Sequence, residues 1–222
     1  MSAVLKTISL QHNRITLALH QLREGTGRPL LLLHGLGESA ENIASLPISW
    51  AGPVWALDFT GHGKSTVPNG GGYSCEVLMA DVDVALRHLG EATVLGRGLG
   101  GYVAFLIAGA RPTLVRGAVI VDGPGLVGGA VHATSSSEIP VAGSRVGTAP
   151  DPWALIELSR DVRPPNYAVT FTHLAVASSG LDDPIAVTCK VTPQWVEAIR
   201  AEAGVITDIT MQEALDIYAA VK

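Results

Sequence analysis

The stretch Ala92-Thr-Val-Leu-Gly96-Arg97-Gly98-Leu99-Gly100-Gly101-Tyr102 decides the fold. A short apolar run at 93–95 meets glycines at 96, 98, 100 and 101, and residues 100–110 are then apolar nearly all round until Arg111-Pro112. That order reads as a buried strand, a tight turn and a buried helix stopped by proline. Three more short apolar runs, at 29–33, 54–57 and 117–121, each lead into Gly or Asp and are separated by stretches long enough to hold a helix. Such alternation is the pattern of βα units that feed a parallel sheet.

The same reading extends to the ends of the chain. Residues 4–10 and 14–22 are rich in strand formers and flank Gln11-His12-Asn13, which predicts an antiparallel hairpin. Strands are also predicted at 170–177 and 205–209, which makes an α/β fold with a mostly parallel sheet of about eight strands. Residues 73–89 place Val77, Leu78, Val82, Ala85 and Leu89 on one helical face, with Asp81 and Asp83 largely elsewhere. A helix at 193–203 has Thr192 as its cap and Pro193 at its first position, and Thr210 with Glu213 forms a capping box for the last helix. Residues 123–150 carry neither period and are rich in Gly, Ala, Ser and Val, so 123–165 is expected to be a shortened lid or flexible insertion, with one short helix at 153–160.

A chain of 222 residues supports one core, and 1–222 is read as a single domain. Its 47% hydrophobic content against 16% charged, carried by Ala, Val, Leu and Gly, suits a sheet buried on both faces. A net charge of -5 without a basic run argues against nucleic acid as a partner. No run of 18 apolar residues exists and the first ten residues lack the apolar core of a signal peptide, so no membrane partner and a cytoplasmic location are expected. Cys75 and Cys189 have neither metal nor disulfide spacing; no metal and no cofactor are expected.

Three segments in order carry a family resemblance: His34-Gly35-Leu36-Gly37 after one strand, Asp58-Phe-Thr-Gly61-His62-Gly63-Lys64-Ser65 after another, and Gly96-Arg97-Gly98-Leu99-Gly100-Gly101 between a strand and a helix. Together they resemble the α/β-hydrolase superfamily, in good register over about 28–125. The resemblance implies a G-x-S-x-G turn that lifts a nucleophilic serine above the sheet. Glycine stands there instead, at 98. The resemblance also implies an oxyanion cradle from the backbone N–H of Leu99 and of Leu36. The family's acid follows the next-to-last strand in a G-x-x-D arrangement, matched by Gly180-Leu181-Asp182-Asp183, so Asp183 is its candidate. The family's histidine belongs near 208–212, where the sequence reads Asp208-Ile-Thr-Met-Gln212, and no histidine occurs after His173. Serine and histidine are both wanting.

Further residues stay open between two readings. His34 and His62 either orient the oxyanion loop or are buried and bonded to backbone, and Asp58 reads as a loop-fixing carboxylate. Arg97 either faces an anionic ligand or pairs with Asp122 or Asp183. Asp122 is either an alternative acid at a strand's carboxyl end or a turn-initiating residue. His132 and Ser135 to Ser137 either close over a ligand or are solvated. The function expected is a non-hydrolytic pseudoenzyme binding a small, partly apolar or anionic ligand at Gly35, Leu36, Arg97, Gly98 and Leu99. The alternatives are an atypical hydrolase or cofactor-free lyase with a non-standard acid or base, and a protein-interaction module, with homo-oligomerisation left open. The family's elbow carries serine, so Gly98→Ser is expected to fold.

Overall fold

A computed structural model describes residues 4–129 and 147–221. Eight strands form one sheet: β1 (Lys6–His12), β2 (Ile15–Arg23), β3 (Leu30–Leu33), β4 (Val54–Asp58), β5 (Ala92–Arg97), β6 (Val115–Val121), β7 (Ile185–Val187) and β8 (Val205–Ile206). Their order is β1-β2-β4-β3-β5-β6-β7-β8, with β1 and β2 antiparallel and every pair from β4 to β8 parallel. The helices are α1 (Ala40–Ile43), α2 (Cys75–Leu89), α3 (Leu99–Ala110), α4 (Pro152–Arg160), α5 (Pro165–Ser178), α6 (Gln194–Arg200) and α7 (Met211–Ala220).

The four leucines of β3 show why the sheet is apolar on both faces. Leu31 and Leu33 join the core that contains α2, α3 and α6, whereas Leu30 and Leu32 join the core that contains α1 and α7. Alternate side chains point to opposite faces, so a strand covered twice reads as an unbroken apolar run. The capping box of α7 forms as expected, with Thr210 N donating to Glu213 at 2.7 Å.

Several elements differ from the sequence reading. Residues 170–177 lie in helix α5 rather than in a strand, and the strand is Ile185–Val187. The β-branched residues of 170–177 favour extended backbone by propensity, but Ala168, Thr172 and Ala175 bury one helical stripe, and α5 packs on α3. Thr170 and Thr172 donate to the carbonyls of Asn166 and Ala168, one turn back. In the hairpin, Gln11 and His12 remain in β1, the last pair being His12 with Ile15. The turn is Asn13-Arg14, with Asn13 at φ 55°, a conformation asparagine tolerates in two-residue hairpin loops. Helix α6 starts one residue later than expected, with Pro193 as its cap. Asp81 and Asp83 of α2 are buried. Asp81 accepts from Thr60 N and His12 Nδ1, and Asp83 pairs with Arg87 and Arg111, because the hairpin and α3 cover faces that an isolated amphipathic helix would leave wet. The aperiodic stretch expected at 123–150 falls largely outside the described residues, as do His132 and Ser135 to Ser137.

Leu31 is wholly buried between parallel neighbours. Leu31→Ala is expected to cost about 2–5 kcal/mol in a urea melt read by circular dichroism.

Candidate functional site

Parallel strands bring their carboxyl ends to one edge, and four loops meet there: Gly35 to Ser39 after β3, Phe59 to Thr66 after β4, Gly98 after β5 and residues 122–129 after β6. The loop after β3 is anchored to the loop after β4 by histidines. His34 accepts from Phe59 N through Nε2 (3.2 Å) and donates from Nδ1 to Gly35 O (2.8 Å). His62 accepts from Gly37 N (3.3 Å) and donates to Thr60 O (3.1 Å). Both nitrogens of each ring are therefore engaged by backbone. Burial and the neighbouring imidazole of His62 push the His34 pKa down to about 3, against the opposing pull of its bond to Gly35 O. Burial also holds His62 below its ordinary value. Neither ring is free to take a proton from a substrate.

Asp58 is a loop-fixing carboxylate. It accepts from Ala40 N (2.7 Å), Lys64 N (2.8 Å) and His20 Nε2 (2.9 Å). Burial alone would raise its pKa, but these three donors win and hold it below the usual carboxylate value.

The turn between β5 and α3 brings Gly35, Leu36, Arg97, Gly98 and Leu99 together. Gly98 has φ 59°, which favours glycine. The amides of Leu36 and Leu99 converge as the resemblance implied, but both donate to one acceptor of the protein itself, the carbonyl oxygen of Pro124, at 3.0 and 2.9 Å. A Cβ at Gly98 would overlap that same oxygen and the carbonyl carbon of Gly123. The main chain at 123–124 thus lies where a side chain at 98 would project. Gly98→Ser, expected to fold, would therefore have to displace that main chain.

Arg97 forms an ion pair with neither Asp122 nor Asp183; its Nη1 donates to Glu38 Oε1. Glu38 also accepts from Gly35 N (3.0 Å), so one carboxylate ties the β3 loop to the β5 turn. Asp122 accepts from Lys190 N (2.8 Å) and Val191 N (3.0 Å), with one bond to each carboxylate oxygen. It fixes the loop after β7.

Asp183 is misplaced by the sequence reading. It precedes β7 instead of following it, and because β7 runs parallel to β6 and β5, it lies at the amino edge of the sheet, opposite Gly98. Residues 180–183 are the α5–β7 turn, whose Gly-x-x-Asp spelling coincides with the motif. The loop that does follow β7, from Thr188 to Pro193, contains no acid. His173 lies on α5, exposed and 2.8 Å from Glu202, and Asp208 pairs with Arg200 at 3.1 Å. Among the described residues no group of three His, Cys, Asp or Glu is placed to hold a metal ion, and no helix is long and apolar enough to cross a membrane.

Pro124, Glu38 and Arg163 were not singled out in the sequence. Asp122-Gly-Pro-Gly125 carried a turn signal, but nothing in it specified which amides its carbonyl would meet.

The alpha/beta hydrolase fold family model matches residues 28–162, and the chain belongs to that family. An esterase of Mycobacterium tuberculosis is 34% identical over 108 residues, covering 47% of this chain and 36% of its own length. A soluble epoxide hydrolase of a Corynebacterium species is 34% identical over 155 residues, covering 65% of this chain and 52% of its own. An (E)-2-((N-methylformamido)methylene)succinate hydrolase of Acinetobacter baylyi is 31% identical over 53% of this chain and 45% of its own. The chain thus spans about a third to a half of the length of these curated relatives. A carboxylesterase structure from Nitrososphaera gargenis matches with a TM-score of 0.64 at 13% identity, over 96% of this chain and 92% of that one, a likeness of fold.

Two predictions follow from this geometry. An unfolded histidine takes up its proton near pH 6.5, while His34 and His62 resist it in the folded state. Their contribution is therefore fully present above that pH and is lost as pH falls below it, by up to about 1.4 kcal/mol per pH unit for each ring held neutral. Asp81, pushed up by its burial, acts in the opposite sense. An NMR titration should show the His34 ring unchanged from pH 7.5 to 5; a midpoint near 6.5 would refute the assignment. Separately, Gly98→Ser should lower stability by about 1–3 kcal/mol in urea, because the new side chain must displace 123–124. An unchanged midpoint would show that the loop gives way freely.

Proposed function

We propose that this chain is a non-hydrolytic member of the α/β-hydrolase family that binds a small, partly apolar or anionic ligand in the crevice beside the Gly98 turn. One observation carries the reading: the Pro124 carbonyl accepts from both Leu36 N and Leu99 N above a glycine that has no hydroxyl. A serine hydrolase of this fold needs those amides for the developing oxyanion and a serine with a basic histidine beneath them. Here the amides serve the protein's own backbone, and His34 and His62 have both ring nitrogens engaged. Loss of serine or histidine from such a triad costs on the order of 10⁶-fold in rate.

The ligand half of the proposal rests on a cavity of about 600 Å³ bordered by Leu36, Gly123, Gly125, Val127, Arg160 and Val191. Its walls are mainly apolar with one cation at the rim, which suits a small molecule with an apolar body. Since Leu36 N, Leu99 N and Arg97 already have partners, a ligand in contact with Gly35, Leu36, Arg97, Gly98 and Leu99 either packs against them or displaces Pro124 O.

The purified protein is expected to give no labelling by a fluorophosphonate probe, read by intact-mass spectrometry, and no turnover of p-nitrophenyl acetate above a denatured control. Stoichiometric phosphonylation of any serine would overturn the non-hydrolytic reading.

A further inference from the structure

The two edges of the sheet are guarded differently. At one end of the strand order stands β8, with 2 residues, and at the other β1, with 7 residues and bonded to β2 alone. A short edge strand offers little to a further strand, whereas a long regular one is a template for pairing, and proteins usually break such an edge with proline, a bulge or a charge in mid-strand. Strand β1, Lys6-Thr-Ile-Ser-Leu-Gln-His12, has no proline, its register with β2 is unbroken, and its one lysine stands at its first position. Among the described residues no other strand covers its outer side.

The hairpin fixes which groups face outward. Its two-residue turn makes His12 and Ile15 the closing bonded pair, and in an antiparallel ladder inward bonding alternates along the strand. Lys6, Ile8, Leu10 and His12 therefore bond to β2, and Thr7, Ser9 and Gln11 turn their N–H and C=O groups outward. Side chains alternate between the faces in the same way. Ile8 and Leu10 pack, partly buried, against the core that contains α2, while Thr7, Ser9 and Gln11 are exposed on the opposite face.

We propose that β1 pairs with the β1 of a second copy of this chain, antiparallel about a twofold axis at Ser9. In that register Ser9 faces the partner's Ser9 and Thr7 faces the partner's Gln11, so the outward groups of all these residues are bonded. On the other face Ile8 comes opposite the partner's Leu10, and the apolar stripe at the edge continues across the axis. Moving the axis to Ile8 would set Lys6 against the partner's Leu10, and moving it to Leu10 would set Ile8 against the partner's His12. The strand is thus its own complement in one register. His12 Nδ1 lies 2.7 Å from Asp81 of α2, at one end of β1, and the twofold carries the two α2 helices toward opposite ends. A ladder of 7 residues makes less than a standard interface, so the dimer forms with rising concentration and is not obligate.

Sedimentation velocity of the full chain over about a hundredfold range of concentration tests the pairing, and a monomer–dimer equilibrium is expected. Ser9→Pro removes the outward N–H at the axis, and with it both bonds between the two Ser9 residues, but no bond to β2. It should keep the circular-dichroism spectrum and weaken the dimer at least about tenfold. Ser9→Lys, at an exposed position, sets two ammonium groups face to face across the axis. It should weaken the dimer about threefold or more, and less so in about 1 M salt, and it serves if Ser9→Pro does not fold. A chain that stays monomeric throughout would overturn the proposal, even if the edge took up a foreign strand. A dimer whose dissociation constant is unchanged in Ser9→Lys would also overturn it, because the interface would then lie elsewhere.

Discussion

The edge of the sheet depends on backbone meeting backbone. At the β5–α3 turn, Gly98 N donates to Val121 O, Gly100 N to His34 O, and Leu99 N shares Pro124 O with Leu36 N. Three loops are thus joined through main-chain groups within a few residues, with glycines where a side chain would stand between them. Buried amides and carbonyls must find partners, and here those partners come from the neighbouring loops rather than from a ligand or water. Once 122–125 is seated in this way, the crevice lies to one side of the turn instead of above it.

Anchors at longer range hold that seat. Asp122 grips the β7–α6 loop, Arg163 grips the carbonyls of Gly125 and Leu126, and Trp195 Nε1 donates to Leu126 O at 3.0 Å. Tyr102 packs edge-on against Trp195 and beneath Arg163, so the buried helix α3 forms the floor for both anchors. The segment that fills the elbow is therefore tied to three separate parts of the sheet's covering layer. It is placed by packing as much as by its own turn chemistry.

Electrostatics at this edge is mostly local and neutralising. Glu38 answers Arg97, His20 and two amides answer Asp58, and Thr60 and His12 answer Asp81. Arg163 departs from this pattern, its Nε and Nη2 being buried without a hydrogen-bond partner.

Much of the architecture was legible in the chain because its signals are local. Short apolar runs ending in glycine, the capping box at Thr210 and the all-apolar helix after Gly98 state their structure within a dozen residues, and the parallel sheet follows from their alternation. The sequence by itself also determined that residue 98 has no hydroxyl and that no histidine lies beyond 173. Tertiary structure decided the rest. Residues 170–177 became helix because α3 offered a surface for Ala168, Thr172 and Ala175, and Asp183 fell at the wrong edge because strand β7 begins after it. The partners of Leu36 N, Leu99 N, Arg97 and Arg163 are separated from them by 25 to 88 residues or, for Glu38, by 59. Such pairings depend on where separate loops are brought by the sheet, and no local pattern of residue types encodes that distance.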